Sequence, residues 1–549
     1  MVYKMFSLII IFLFISAPVF ALNFNDDRPP AELAAALESA MTDEQALAQV
    51  FMLGWVGAEP SPLIMQWIRQ RNIGGVKIFG WNTDDTRRLA RTVGQLQAAS
   101  LEGPFGIPLL VATDQEGGWV RHVKGATSET PGNMAIGASG YPRDAYLSGY
   151  YIGQELSLIG INMNFAPTID LFTNRDSILI GPRAFGDDPV RTGIFGMAFV
   201  RGQLAAGVIP TAKHFPGHGD TELDSHGILP RINITYDTLW NRELVPYRML
   251  ISEGLPAIMS GHLAFPLMEA RNTPASLSPW FLRDVLRDRM GFRGVVITDD
   301  LMMVGATSYL GALSRTAKQA IVAGNDIIMF SSTPTLFDPI WTFLVSSMRD
   351  EEDFRQIVRS AARRVLELKL TYLRGDNIVP YIPDLDRLDA ELPSPEGSAF
   401  FLNLAARSVT IVSPAQPQTV FPITSENQGR VLLAGRYGDF FTFGRAAFPN
   451  STQYRFSFAT DPAEIVSVAR NADTIIFCLS DHFDLRVLRN LRQLNRRVIV
   501  FSVLSPALLE SVTWATGAIA VYSYAPESFA AGFSVITGRI PALGTLPYE

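Results

Sequence analysis

From about residue 50 to 332 the chain repeats one pattern, a short apolar β-rich segment followed by a longer stretch of helical character. The apolar segments are Val50–Val56, Gly75–Phe79, Pro108–Asp114, Asn162–Asp170, Ile209–His214, Ala257–His262, Gly294–Asp299 and Asp326–Phe330, with starts about 25 to 55 residues apart. Such an interval holds a strand, a loop and a returning helix. Apolar strands alternating with helices predict a parallel sheet covered on its outer face, and eight of them predict a (β/α)8 barrel. Five segments end on polar or ionisable residues: Asp114, Asp170, Lys213-His214, His262 and Asp299. In a barrel those ends gather at one mouth, where an active site is expected.

Residues 376–398 are rich in Pro, Asp and Gly without a clear period and read as a linker. Beyond it, Ser408–Val412, Arg430–Leu433, Thr474–Cys478, Arg497–Val503 and Ala518–Tyr522 predict a smaller α/β domain with a mainly parallel sheet. The expected division is a signal over 1–21, a barrel over 22–375, the linker, and a second domain over 399–549.

The first 21 residues change the picture of where the protein works. Lys4 precedes an almost unbroken apolar run from Met5 to Ala17, and Val19-Phe20-Ala21 suits signal peptidase. The run is short for a membrane span, so we expect cleavage after Ala21, export to the periplasm or the exterior, and no stable membrane span afterwards. Composition then excludes several functions. A net charge of −7 argues against a general nucleic-acid binder, and the single cysteine, Cys478, excludes an intrachain disulfide and a thiolate zinc site.

Three of the six histidines fall in KHFPGHGDTELDSH at 213–226. His214 and His218 have the i,i+4 spacing of two metal ligands on a helix, but Pro216, Gly217 and Gly219 disfavour that helix. A Gly-rich catalytic loop after a strand is the better reading, and no metal is expected. Asp224 can pair with the His226 imidazole if the loop turns, which suits a general acid/base. In GFRGVVITDDLMM at 291–303 an apolar strand ends in two aspartates. Either could serve as nucleophile toward an anomeric carbon, and the pattern leaves open which points inward. DQEGGWVR at 114–121 sets carboxylates and Arg121 after another strand, groups suited to sugar hydroxyls, and Trp119 is either a stacking face or a packed indole.

These segments, with PRAFGDDP at 182–189, resemble glycoside hydrolase family 3 in its β-N-acetylhexosaminidase (β-N-acetylglucosaminidase) branch. The resemblance spans at least 45–335, and ITGRIPALGTLP at 536–547 is similar to the end of that family's second, α/β-sandwich domain. The resemblance implies that Asp299 is the nucleophile, and that His226, assisted by Asp224, is the acid/base. It implies that Asp114, Arg121, Arg183, Lys213 and His214 hold a terminal N-acetylglucosamine. The implied reaction is exo-acting, retaining and free of cofactors, on peptidoglycan fragments or chitin-like oligosaccharides. Trp119 stands where a basic residue is common, and Gly227 where a bulkier one is, so outer contacts and the catalytic loop are expected to differ. A phosphorylase of the same family and a non-catalytic carbohydrate-binding protein are the alternatives.

Overall fold

In the computed structural model, residues 22–221, 227–269, 272–335, 338–413 and 416–549 are described. Each of the eight apolar segments forms a strand. These are β1 (Phe51–Gly54), β2 (Gly75–Ile78), β3 (Leu110–Thr113), β6 (Met163–Asn164), β7 (Ile209–Phe215), β8 (Ala257–Ser260), β9 (Val295–Thr298) and β10 (Ile328–Phe330). Between β3 and β6 the chain adds a hairpin, β4 (Gln115–Gly117) and β5 (Val120–Arg121). The eight parallel strands run in the order β10-β1-β2-β3-β6-β7-β8-β9, and a bridge between Ile297 and Ile327 nearly closes the barrel. β6 is shorter than its apolar segment, but backbone bonds to β7 continue past it: the Thr211 N–H donates to the Ala166 carbonyl at 2.9 Å, the Lys213 N–H donates to the Pro167 carbonyl at 3.2 Å, and Thr168 bridges Lys213.

Side chains along the strands divide with period two. Phe51, Leu53, Val76, Ile78, Val111, Ile258, Val296, Ile328 and Phe330 pack outward with the helices. Met52, Leu110, Ala112, Met163, Ala257, Met259, Val295, Ile297 and Met329 fill the interior. The helix Pro30–Ala40 packs Leu33, Ala34 and Leu37 into that interior cluster beside Val365 and Leu366 of the helix Glu352–Tyr372. With this packing below, the opposite mouth carries the polar groups.

The second sheet contains β11 (Thr410–Ser413), β12 (Val431–Gly435), β13 (Thr452–Arg455), β14 (Thr474–Leu479), β15 (Arg497–Ser502) and β16 (Gly517–Ala520). Its order is β11-β16-β15-β14-β12-β13, with β11 antiparallel to β16 and the rest parallel. The connecting stretch contains the helix Leu385–Glu391, and its Val379, Leu388 and Leu392 are buried in the barrel's outer apolar cluster. Among the described residues no helix is long and apolar enough to cross a membrane.

The last residues return to the barrel. Thr545 N–H donates to the Ala138 carbonyl at 3.0 Å, and Tyr548 meets Phe172 edge-on with centroids 5.3 Å apart. A Cβ on Gly186 would stand 2.2 Å from the Pro547 carbonyl oxygen, so this close approach requires glycine.

Candidate active site

The sequence brings charged side chains to the mouth by two routes. Along β2 and β7 the alternation that sends Val76, Ile78 and Ala212 outward turns Lys77 and Lys213 inward. Elsewhere the residue following a strand or hairpin arm is delivered to the rim, as with Asp114 after β3 and Asp299 after β9. Together these groups line a cavity of about 580 Å³, which also takes in Glu116, His122, Arg183, His214 and His218.

Asp114 stands between two lysines. Lys77 Nζ lies 2.8 Å from Oδ2, and Lys213 Nζ donates to Oδ1. Burial alone would raise the Asp114 pKa, but Lys213 and then Lys77 hold it well below the usual carboxylate range. Lys213 also reaches Glu116 Oε1 at 2.6 Å. Arg183, on the 3-10 turn Gly181–Arg183, grips Glu116 with Nε at 2.9 Å and Nη2 at 2.8 Å. Burial would raise Glu116, yet Arg183 and Lys213 bring its pKa down to about 2.

His214 is oriented from both sides of its ring. Its Nδ1–H donates to Asp170 Oδ2 at 2.7 Å, and Arg183 Nη2 lies 3.3 Å from its Nε2. Asp170 also accepts the backbone N–H of His218 at 2.7 Å, so one buried carboxylate shapes the turn after β7. Burial, followed by His214, lowers His218 to about 4, leaving it neutral.

Asp299 accepts the Asp300 N–H at 2.8 Å through Oδ1, and no described residue engages Oδ2. Its burial opposes ionisation, but His214, His262 and the Asp300 N–H lower its pKa below the ordinary value. Asp300 is tied elsewhere: its Oδ1 accepts the N–H groups of Met302 and Ser331, each at 3.0 Å. His262 donates from Nε2 to the Asp300 carbonyl at 3.0 Å and accepts from the Ser276 hydroxyl at 2.7 Å. It therefore braces the strand end instead of facing the cavity.

Asp114, Arg183, Lys213, His214 and Asp299 thus meet in one cavity. Arg121 is not among the lining residues; it pairs with Glu129 at 3.1 Å and donates to the Val123 carbonyl. Its neighbours Val120 and His122 line the cavity instead, as expected where successive side chains of an extended arm alternate. Asp224 and His226 fall within 222–226, outside the described residues. The flank before them is held by Asp220, which pairs with Arg242 at 2.6 Å. Trp119 and Trp81 stand partly exposed at the rim, Trp81 stacked on Phe79 with centroids 4.4 Å apart. Sequence reasoning missed Lys77, His122 and the Asp170–His214 pairing. For Lys77 the signal was its place between outward-facing Val76 and Ile78.

An ionised carboxylate with one open oxygen, facing a cavity lined by several hydrogen-bonding cations and anions, suits nucleophilic attack within a bound polyhydroxyl ligand. Residues 43–368 match the family described as "Glycosyl hydrolase family 3 N terminal domain". The chain is 31% identical over 403 residues to β-hexosaminidase A of Pseudoalteromonas piscicida, covering 67% of this chain and 64% of that protein. It is 30% identical over 405 residues to a β-N-acetylglucosaminidase/β-glucosidase of Cellulomonas fimi, covering 72% of this chain and 68% of the relative. A solved structure of a glycoside hydrolase family 3 β-N-acetylglucosaminidase from Paenibacillus sp. str. FPU-7 superposes with a TM-score of 0.82 at 28% identity, covering 93% of this chain and 99% of that one.

Proposed function

The chain belongs to glycoside hydrolase family 3, and on that premise we propose that it is an exo-acting, retaining β-N-acetylglucosaminidase. It hydrolyses terminal β-linked N-acetylglucosamine from peptidoglycan fragments or chitin-like oligosaccharides. The observation that carries this reading is the place of Asp299 in the mouth cavity beside Asp114, Arg183, Lys213 and His214, with Oδ2 engaged by no described residue. The activities named for the relatives, a β-hexosaminidase and a β-N-acetylglucosaminidase, support the choice of sugar.

In the proposed route Asp299 attacks C1 while His226 protonates the departing glycosidic oxygen. His226 then takes a proton from water, whose oxygen attacks C1 and frees the sugar and Asp299. Asp224 fixes the imidazole and stabilises its cationic form. Asp114, Arg183, Lys213 and His214 hold the sugar; Arg121 is left to brace the hairpin through Glu129. All these steps balance without a metal or organic cofactor. The proposed place of work is the periplasm or exterior, reached through the signal over 1–21.

The test is product analysis on aryl β-N-acetylglucosaminides and muropeptide fragments, with and without phosphate. Free N-acetylglucosamine released first as the β-anomer, at a rate independent of phosphate, is expected. A sugar 1-phosphate formed only with phosphate would replace hydrolysis by phosphorolysis, and an α-anomer would rule out retention.

A further inference from the structure

We propose that a second cavity, at the end of the barrel opposite the mouth, binds the phosphate group of a small soluble organic phosphate between the guanidinium groups of Arg283, Arg293 and Arg364. Nothing in the function proposed above requires this site, and its test does not depend on turnover.

Its place follows from the chain. Arg293 precedes β9 and Asp299 follows it, so that strand stands between this cavity and the mouth. Two helices and the loop before β9 bring four arginines together. Arg283 and Arg287 lie one turn apart on the helix Trp280–Arg289, Arg293 is in the loop, and Arg364 is on the helix Glu352–Tyr372. Asp326, fully buried ahead of β10, engages two of them. Its Oδ2 accepts from Arg287 Nη2 and its Oδ1 from Arg364 Nε, each at 2.6 Å. Oδ2 also accepts the Val296 N–H at 2.8 Å, and Arg287 Nη1 donates to the Gly294 carbonyl at 2.6 Å. One carboxylate thus fixes two guanidiniums and leaves the Nη groups of Arg364 without a described partner.

The cations outnumber their partners. Among the described residues Arg283 and Arg293 form no ion pair and no side-chain hydrogen bond. Glu367 lines an adjoining cavity with Arg293 and Arg364 but pairs with neither, and the exposed Asp284 and Asp288 pair with none of the four arginines. Arg287 registers the crowding. Burial, with the charges of Arg364 and Arg293 behind it, pulls its pKa below the ordinary value although Asp326 opposes them. An anion laid across the free guanidiniums relieves that repulsion. A guanidinium fork matches phosphate oxygens, and a phosphate monoester carries close to two negative charges at neutral pH. The cavity holds about 410 Å³, more than a phosphate alone fills, and Ile321 and Ile357 line it beside the arginines. That apolar wall suits the organic part of an ester.

The test titrates the full chain by calorimetry with inorganic phosphate and with phenyl phosphate at matched ionic strength. Phenyl phosphate is expected to bind, and more tightly than inorganic phosphate. Arg283→Ala and Arg293→Ala are each expected to weaken it about tenfold. Their urea midpoints should not fall, because neither guanidinium is bonded within the fold. A variant carrying both substitutions that binds as wild type does overturns the proposal. So does a wild type that binds neither probe, or one that binds inorganic phosphate as tightly as the ester. Vesicles bearing phosphatidic acid present the same group on a lipid, and capture by them without binding of phenyl phosphate overturns the soluble ligand and the proposal with it. The readout is heat of binding, so a protein that cleaves no N-acetylglucosaminide still answers the question.

Discussion

The Asp300 carboxylate accepts the Ser331 N–H at 3.0 Å and thereby laces the end of β9 to the end of β10, across the seam where the barrel closes. Its neighbour Asp299 lines the cavity, and no described residue engages its Oδ2. Two adjacent aspartates thus sit differently, Asp300 holding the rim together and Asp299 assigned the chemistry in the proposed function.

Asp299→Asn is therefore expected to lose roughly ten-thousand-fold in turnover while unfolding at nearly the wild-type urea concentration. Asp300→Ala is expected to lose about 1–3 kcal/mol of stability, because two backbone N–H groups lose their acceptor. Turnover of an aryl N-acetylglucosaminide and urea titration measure the two effects. Near-normal activity in Asp299→Asn would refute its assignment as nucleophile.

His226→Ala should slow substrates with poor leaving groups most, by roughly a hundredfold or more, and activated aryl glycosides least. A series of aryl glycosides graded by phenol acidity reads this directly. Equal loss along the whole series would argue against a proton donor at that position.

Glu116 makes acid stability depend on the cavity. Its pKa is about 2 in the fold against an ordinary 4.5, so its contribution is fully present above pH 4.5 and is lost as pH falls from there toward 2. The contribution at neutral pH is roughly 3 kcal/mol. Glu116→Gln should be less stable at pH 7 and show a flatter fall in urea midpoint between pH 6 and pH 3. A variant with the wild-type slope would place the acid sensitivity elsewhere.

Chelation should leave turnover unchanged. Asp114 and Glu116 already face lysine and arginine cations, and Asp170 is taken by His214 and His218. Incubation with EDTA followed by assay is sufficient; activity lost and then restored by zinc would bring back the metal reading of His214 and His218.

The barrel was legible in the sequence because its strands are buried on both faces and so leave continuous apolar runs. β13 was not legible, since in Thr452–Arg455 only Tyr454 is buried and an edge strand of this kind carries no apolar run. Within the site, Asp114, Lys213 and Asp299 stood out because each lies at the end of an apolar run in the sequence, whereas Lys77 sits between Val76 and Ile78 inside one and was passed over. Arg121 and His122 show a different limit. One step along an extended arm reverses the side a residue faces, and only the folded hairpin settles which of the two meets the cavity.

The return of residues 545–548 to the barrel ties the second domain to it at one place. Pro547 seats against Gly186, three residues from Arg183, and Tyr548 seats against Phe172, two residues from Asp170. Loss of the Pro547 and Tyr548 contacts would therefore be felt in the mouth cavity while the second sheet was still whole.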